Sequence, residues 1–472
     1  MFINSCFYIA LSSLYFFLSI MVALKLGGDA TLYIIALPIV LSLIQSLHNK
    51  DIAKILFLIF FILFIIVEPF IYLFKYEIMP TWFEQSLPSV YLKYEYFHVV
   101  NLFMGSYYLG LFFSSLRYNR VSLLGVTSQT KSIRSNTDLK RFGYLALLFI
   151  FALGLYPYLK NGLNGMIILL LSGREDGFSQ FDIQAVANTN FLSILSNFLI
   201  ATGVISAYLL CAKCYESNLG KILLILILLL STLIIASGGG RTRVGFIIVP
   251  SLFLYISYTS FRIKEKVKVI VFSLASLLLI FSMVSIRDQG VLNSEDIKFE
   301  LKGFNLNREL AFILSNKDEF PLACKSTITC TIIAPIETTL KFVTNPIPRF
   351  YYEGKYLDPS FAFYNKLRLG DAGLYKGSNI TPTAIGRYFM LYGIPGVFFI
   401  GILFGFLSEF CDSGIRKNNY VSTFKIIMLT MLSYYLAQSV RDFNPGWLYP
   451  LLFTAISFPF IIGEKSDRFN RP

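Results

Sequence analysis

Charge is scarce in this chain. Only 15% of its 472 residues are Asp, Glu, Lys or Arg, where a soluble domain carries roughly a quarter. Histidine is scarcer still: His48 and His98 are the only two, too far apart for the HExxH zinc helix. No phosphate-binding P-loop and no GxSxG nucleophile elbow occurs. A D-x-D pair is missing from every loop expected to face outward, which weakens a metal-dependent transferase. Cysteine offers little. Cys211-Ala-Lys-Cys214 spells C-x-x-C, but with no second pair or nearby histidine it reads as small residues at a helix end. Cys324 and Cys330 lie in a long polar segment; they either pair in an oxidising compartment or remain thiols. No internal repeat or low-complexity tract stands out.

What the chain does have is apolar length. Hydrophobic residues make up 55% and aromatics 17%. Runs near the length needed to cross a hydrocarbon core of about 30 Å recur throughout. The pattern predicts an all-α polytopic membrane protein of about twelve spans. They lie near 5–24, 31–47, 53–75, 97–116, 143–159, 191–211, 221–237, 244–260, 269–285, 385–410, 421–440 and 446–463. The stretch 163–171 is apolar but too short to span and suits a re-entrant or interfacial piece. Residues 1–20 lack a basic leader region and read as a retained first span.

The formal net charge of +13 belongs to short loops and does not point to nucleic acid. Lys50, Lys54, Arg117, Arg120, Lys131, Arg134, Lys213, Lys221, Arg262, Lys264, Arg416 and Lys417 fall in one alternating set of loops. The positive-inside rule puts that set, and both termini, in the cytoplasm. One outward segment, 286–384, is long. It should fold as a cap on the membrane domain, with short helices near Leu301–Leu314 and Ile333–Val343 and an extended stretch at Pro346-Ile347-Pro348. Three regions follow: spans one to nine over 1–285, the large loop over 286–384, and three further spans over 385–472.

Arginines collect on the outward side, against the usual bias. Arg241 and Arg243 sit in Ser237-Gly238-Gly239-Gly240-Arg241-Thr242-Arg243, with almost no loop between two apolar runs. A charge at membrane depth costs roughly 2.5–3.5 kcal/mol unless it reaches water or a partner. A guanidinium favours phosphate, because its planar fork donates two parallel hydrogen bonds. Arg174, Arg287, Arg349, Arg387 and Arg441 occupy other outward segments. A lipid-linked phosphate or diphosphate suits such a set; so does snorkelling to headgroups, or pairing with Asp288 and Asp442. Phe350, Tyr351, Tyr352, Tyr356, Phe361, Phe363, Tyr364 and Tyr375 suit sugar rings or an interfacial aromatic belt. A hydroxyl acceptor needs a base. The outward acids Glu175, Asp176, Asp288, Glu337, Asp371 and Asp442 are not distinguished by spacing. His98, near the outer end of the fourth span, reads as an interface residue.

Three blocks resemble the oligosaccharide repeat-unit polymerases, the Wzy-type O-antigen and capsule polymerases. They are Ala236 to Arg243; Ile347-Pro348-Arg349 with Lys355; and Thr381 to Gly386 with Tyr388, Tyr392-Gly393-Ile394-Pro395-Gly396 and Gly405. Together they cover about 232–410. An acidic residue is common in that family where Arg387 stands, and an R-x10-G spacing is not found from Arg241, Arg243 or Arg349. The resemblance implies a GT-C-like plan in the bacterial cytoplasmic membrane. It also implies transfer of a growing glycan from undecaprenyl diphosphate onto a new lipid-linked unit at the outer face, without a cofactor. Arg241, Arg243 and Arg349 would act on the diphosphate. Lys355, Arg287, Arg174, Arg387, Arg441, Tyr351 and Tyr352 would bind substrate. A flippase and a chain-length regulator are the implied partners. An O-antigen ligase shares the plan, but a loop histidine is expected there and none lies between Arg287 and Arg387. A repeat-unit flippase or transporter is the non-enzymatic alternative.

Overall fold

The computed structural model describes residues 2–26, 36–67, 91–122, 141–160, 195–258 (except 216 and 238–240), 306–320, 382–416, 423–441, 443 and 448–462. It also describes the single positions 34, 333, 336, 340, 364 and 367. Among the described residues the regular structure is helical and no strand occurs. In order, α1 is Phe2–Ala23, α2 Ala36–Asn49, and α3 Ile52–Phe61, continued by a π-helical turn Ile62–Ile66. Then come α4 Tyr91–Ser122, α5 Arg141–Lys160, α6 Asn197–Cys211, α7 Asn218–Ser237 and α8 Arg241–Tyr258. The series ends with α9 Leu306–Ser315, α10 Ala384–Arg416, α11 Thr423–Ser439 and α12 Tyr449–Ile462.

Each expected span except 269–285 overlaps one of these helices. That segment and 163–171 lie outside the described residues. Among the described residues five helices are long and apolar enough to cross a membrane: Ser5–Ala23, Tyr94–Leu116, Phe142–Leu159, Asn218–Ala236 and Ala384–Ile415. Shorter apolar helices accompany them at Ala36–Asn49, Ile52–Ile66, Asn197–Cys211, Arg243–Tyr255 and Tyr449–Ile462.

Two compact units form. The first comprises 1–128, 301–418 and 435–446, the second 129–300, 419–434 and 447–472. In the first, α4 is the central post. Serines seven residues apart on α1 face it: Ser5 Oγ meets Ser115 Oγ at 2.9 Å, Ser12 donates to the Gly105 carbonyl at 2.8 Å, and Ser19 meets His98 Nδ1 at 2.9 Å. Seven residues are two helical turns, so the three stay on one face. In an apolar medium, small polar residues both admit a close neighbour and bond to it. His98 is therefore an α1–α4 seam residue.

The opposite face of α4 takes α10, in parallel. A Cβ on Gly405 would lie 1.9 Å from the Tyr107 carbonyl oxygen, and one on Gly110 2.2 Å from that of Ile402. Gly401 and Gly405 thus make a small-xxx-small face that lets two backbones touch. Phe57 of α3 stacks on Tyr107, with centroids 4.2 Å apart. Higher up, α10 breaks. Gly393 has φ +62° and ψ −148°, and Pro395 follows within the same helix. Only glycine takes that backbone readily, and proline withdraws an N–H from the ladder.

In the second unit α6 is the core. Asn197 and Leu199 to Leu209 are buried on every side of this helix, as its all-round apolar sequence requires. It packs on α5, α7, α8 and α12. Gly154 lets the Leu199 backbone approach, since a Cβ there would sit 2.8 Å from its nitrogen. Ile222, Leu226, Leu229, Leu230 and Leu233 of α7 face outward, an apolar face compatible with a membrane setting.

Candidate functional site

Arg241 opens α8, and Arg243 follows in its first turn. The helix macrodipole places partial positive charge at that end, where Arg243 adds a guanidinium. Arg243 is half-buried, and its Nη1 donates to Ser196 Oγ at 3.3 Å. Ser196 precedes α6 and is 2% exposed. The Tyr158 hydroxyl, near the end of α5, shares a hydrogen bond with Ser196 and lies in the field of Arg243. Among the described residues Arg243 makes no ion pair. A partly buried cation held by hydroxyls keeps its charge available to an anion.

Arg387 and Arg441 belong to the first unit. Thr383 caps the start of α10, accepting the Gly386 N–H on its Oγ1 at 2.9 Å. The Ala384 N–H donates to the Val440 carbonyl at 3.2 Å. Arg387 Nη1 donates to the Phe443 carbonyl at 3.1 Å. Arg441 lies in the same turn, its N–H on the Gln438 carbonyl at 3.0 Å. The start of α10 is thereby pinned to the turn that ends α11, and Arg387 is one of the pins. Arg174, Arg287, Arg349, Lys355, Tyr351 and Tyr352 lie outside the described residues. So do Cys324, Cys330, Asp288 and Asp442.

Within the large loop, α9 matches the expected helix near Leu301–Leu314; of Ile333–Val343 only 333, 336 and 340 are described. It seats on unit one, against the π-helical turn, α4 and α10. Ile313 sits over Gly386, where a Cβ would be 2.6 Å from its Cδ1. Ile313, Phe320, Tyr364 and Met390 form one buried cluster. Lys317 pairs with Glu95 of α4 at 3.1 Å on the surface. Inside, the Tyr364 hydroxyl donates to Glu309 Oε2 at 2.5 Å.

At the other end of unit one is a constellation the sequence did not disclose. Lys54, counted above with the cytoplasmic loop cations, is instead fully buried in α3. Its Nζ lies 2.5 Å from Asp51 Oδ2, 2.6 Å from the Tyr8 hydroxyl and 3.0 Å from Glu409 Oε2. Asp412 Oδ1 accepts the Ala53 N–H at 2.8 Å, and its Oδ2 the Lys54 N–H at 3.2 Å. A carboxylate from α10 thus caps α3, in the place where a local N-cap side chain would act. The i,i+3 spacings Asp51/Lys54 and Glu409/Asp412 were the only local signal.

Cys211 ends α6 and Cys214 follows it, and the two are not joined in a disulfide. Among the described residues no group of three His, Cys, Asp or Glu could hold a metal ion. Comparison with protein-family models, with characterised proteins and with solved structures finds no match.

Proposed function

We propose that the chain is a glycosyltransferase of about twelve spans in the bacterial cytoplasmic membrane, both termini in the cytoplasm, that polymerises undecaprenyl-diphosphate-linked repeat units at the outer face. The observation that carries this reading is Arg243: a half-buried guanidinium at a helix start, held by Ser196 and Tyr158 and making no ion pair among the described residues. A departing diphosphate is the anion such a group stabilises best. In the large loop, α9 packs on helices of its own unit, as an ordered loop domain would, and the resemblance at 232–410 supplies the substrate class. Lipid-linked glycan and bilayer are the partners; a flippase and a chain-length regulator would act beside it.

The Lys54 cluster favours a second reading, a repeat-unit flippase, because ionisable groups inside a bundle commonly mark transport paths. Deleting the gene separates the two. Loss of long chains with single repeat units kept on surface lipid supports the polymerase. Loss of all surface units, single ones included, overturns it in favour of the flippase or a ligase.

A further inference from the structure

Within unit one, the seam between α1 and α4 is polar along its length. Ser5, Tyr8, Ser12, Tyr15 and Ser19 alternate at spacings of three and four, which keeps them on one face of α1. All five are buried. The α4 face that meets them carries His98, Asn101, Gly105 and Tyr108 at the same spacings. From Ser19 to Ser5 is about 20 Å of helix at 1.5 Å per residue. Both ends of the seam are ionisable. At one, His98 Nδ1 meets Ser19 Oγ, one turn from Glu95, which pairs with Lys317 at the surface. At the other, the Tyr8 hydroxyl accepts a hydrogen bond from Lys54 Nζ. Asp51, Glu409 and Asp412 surround that ammonium, and the phenols of Tyr107 and Tyr108 lie in its field. Asp51 adjoins the exposed Lys50.

Hydroxyl groups alone would serve to join two helices. Two groups between the ionisable ends exceed that need. Asn101 is 0% exposed, and among the described residues neither its amide nitrogen nor its oxygen has a hydrogen-bond partner. A bare amide in an apolar interior is costly, and water that bridges it to nearby hydroxyls removes the cost. The Tyr108 hydroxyl faces Ser42 of α2 without closing a hydrogen bond on it, and lies in the field of Tyr8. Its ring stacks on Tyr15, with centroids 5.6 Å apart. Chains of ionisable and hydroxyl groups inside a membrane bundle recur as proton relays.

We propose that unit one carries a proton-conducting path, from His98 along the α1–α4 seam to the carboxylates around Lys54, with water held at Asn101. It does not rest on the polymerase reading. A proton taken up at His98 passes to Ser19, then through water at Asn101 to Tyr108 and Tyr8, and reaches the carboxylates, which release it to water beyond Lys50. Each oxygen on the way accepts one proton and gives up another, so every group is restored and one positive charge crosses. A carboxylate offers about four lone-pair sites, so contact with Lys54 leaves it able to accept. Lys54 keeps its own proton and holds these carboxylates in place.

The test uses the purified full chain in phosphatidylcholine vesicles that enclose a pH-sensitive dye, with a potassium diffusion potential to drive protons inward. Vesicles with the protein should acidify several-fold faster than empty ones. Asn101→Leu matches the branched shape without the polar atoms. It should return the rate to that of empty vesicles without lowering the melting temperature, since replacing an unpaired buried amide by an apolar group removes a desolvation cost. Tyr108→Phe keeps the ring stacked on Tyr15 and should slow acidification several-fold; it is the second probe should Asn101→Leu fold poorly. A parent rate no faster than that of empty vesicles overturns the proposal. So does an unchanged rate in either folded variant, which would leave the seam as helix packing. No glycan substrate is present, so each of these outcomes leaves the polymerase reading where it stood.

Discussion

Lys54 in one unit and Arg243 in the other are both withdrawn from water, and they are built in opposite ways. Lys54 is fully buried and faces Asp51, Glu409 and a phenol, while Asp412 holds its own backbone. Arg243 is half-buried and touches a serine, with a tyrosine beside it. A buried ion is tolerable only with a complete set of counter-charges and hydrogen bonds. Lys54 has such a set, so its charge is spent within the fold. Arg243 has hydroxyl partners, which orient a guanidinium without neutralising it. Stability and chemistry should therefore separate between these two sites.

The largest expected effect is at Lys54. Lys54→Met leaves buried carboxyl groups without their ammonium, and breaking one side of a buried pair costs about 3–5 kcal/mol. Thermal melting of the purified protein should register this as a large drop, with low abundance in membranes. A melting temperature equal to the parent's would show that the cluster is not a keystone. Asp412→Asn comes next. The amide can accept only one of the two N–H bonds at the start of α3, and losing a cap of this kind costs about 0.5–2 kcal/mol. An undiminished melting temperature would count against capping from α10.

The contrast also explains what could be read from the chain and what could not. Apolar runs set the helices, so an all-helical chain was legible, and among the described residues five helices are long and apolar enough to cross a membrane. The Arg241–Arg243 junction was legible too, because charge between two apolar runs is a local anomaly, and α8 does begin at Arg241. The Lys54 cluster was hidden by distance. Lys54 and Glu409 are 355 positions apart, and a lysine beside Lys50 resembles any cytoplasmic loop cation. Glu309 was passed over for a similar reason: Tyr364, 55 positions on, defines its environment. The break in α10 was masked by its own hydrophobicity, since Gly393 and Pro395 sit within an otherwise unbroken apolar run.

The smallest stability effect, and the sharpest test of the comparison, is at Arg243. Arg243→Lys keeps the charge and gives up the planar fork. Removing one hydrogen bond to Ser196 should cost about 1 kcal/mol or less, a small change in melting temperature beside that of Lys54→Met. Chain extension should respond far more. A guanidinium holding a diphosphate contributes charge-assisted bonds of roughly 1.5–3 kcal/mol each, so polymer yield per enzyme should fall about tenfold to a hundredfold. Ser196→Ala should move extension in the same direction and less far, because it loosens the arginine without removing it. A normal chain-length distribution in Arg243→Lys would mean that a cation held by neutral groups is no more available than one enclosed by acids, and the contrast between the two sites would lose its functional meaning.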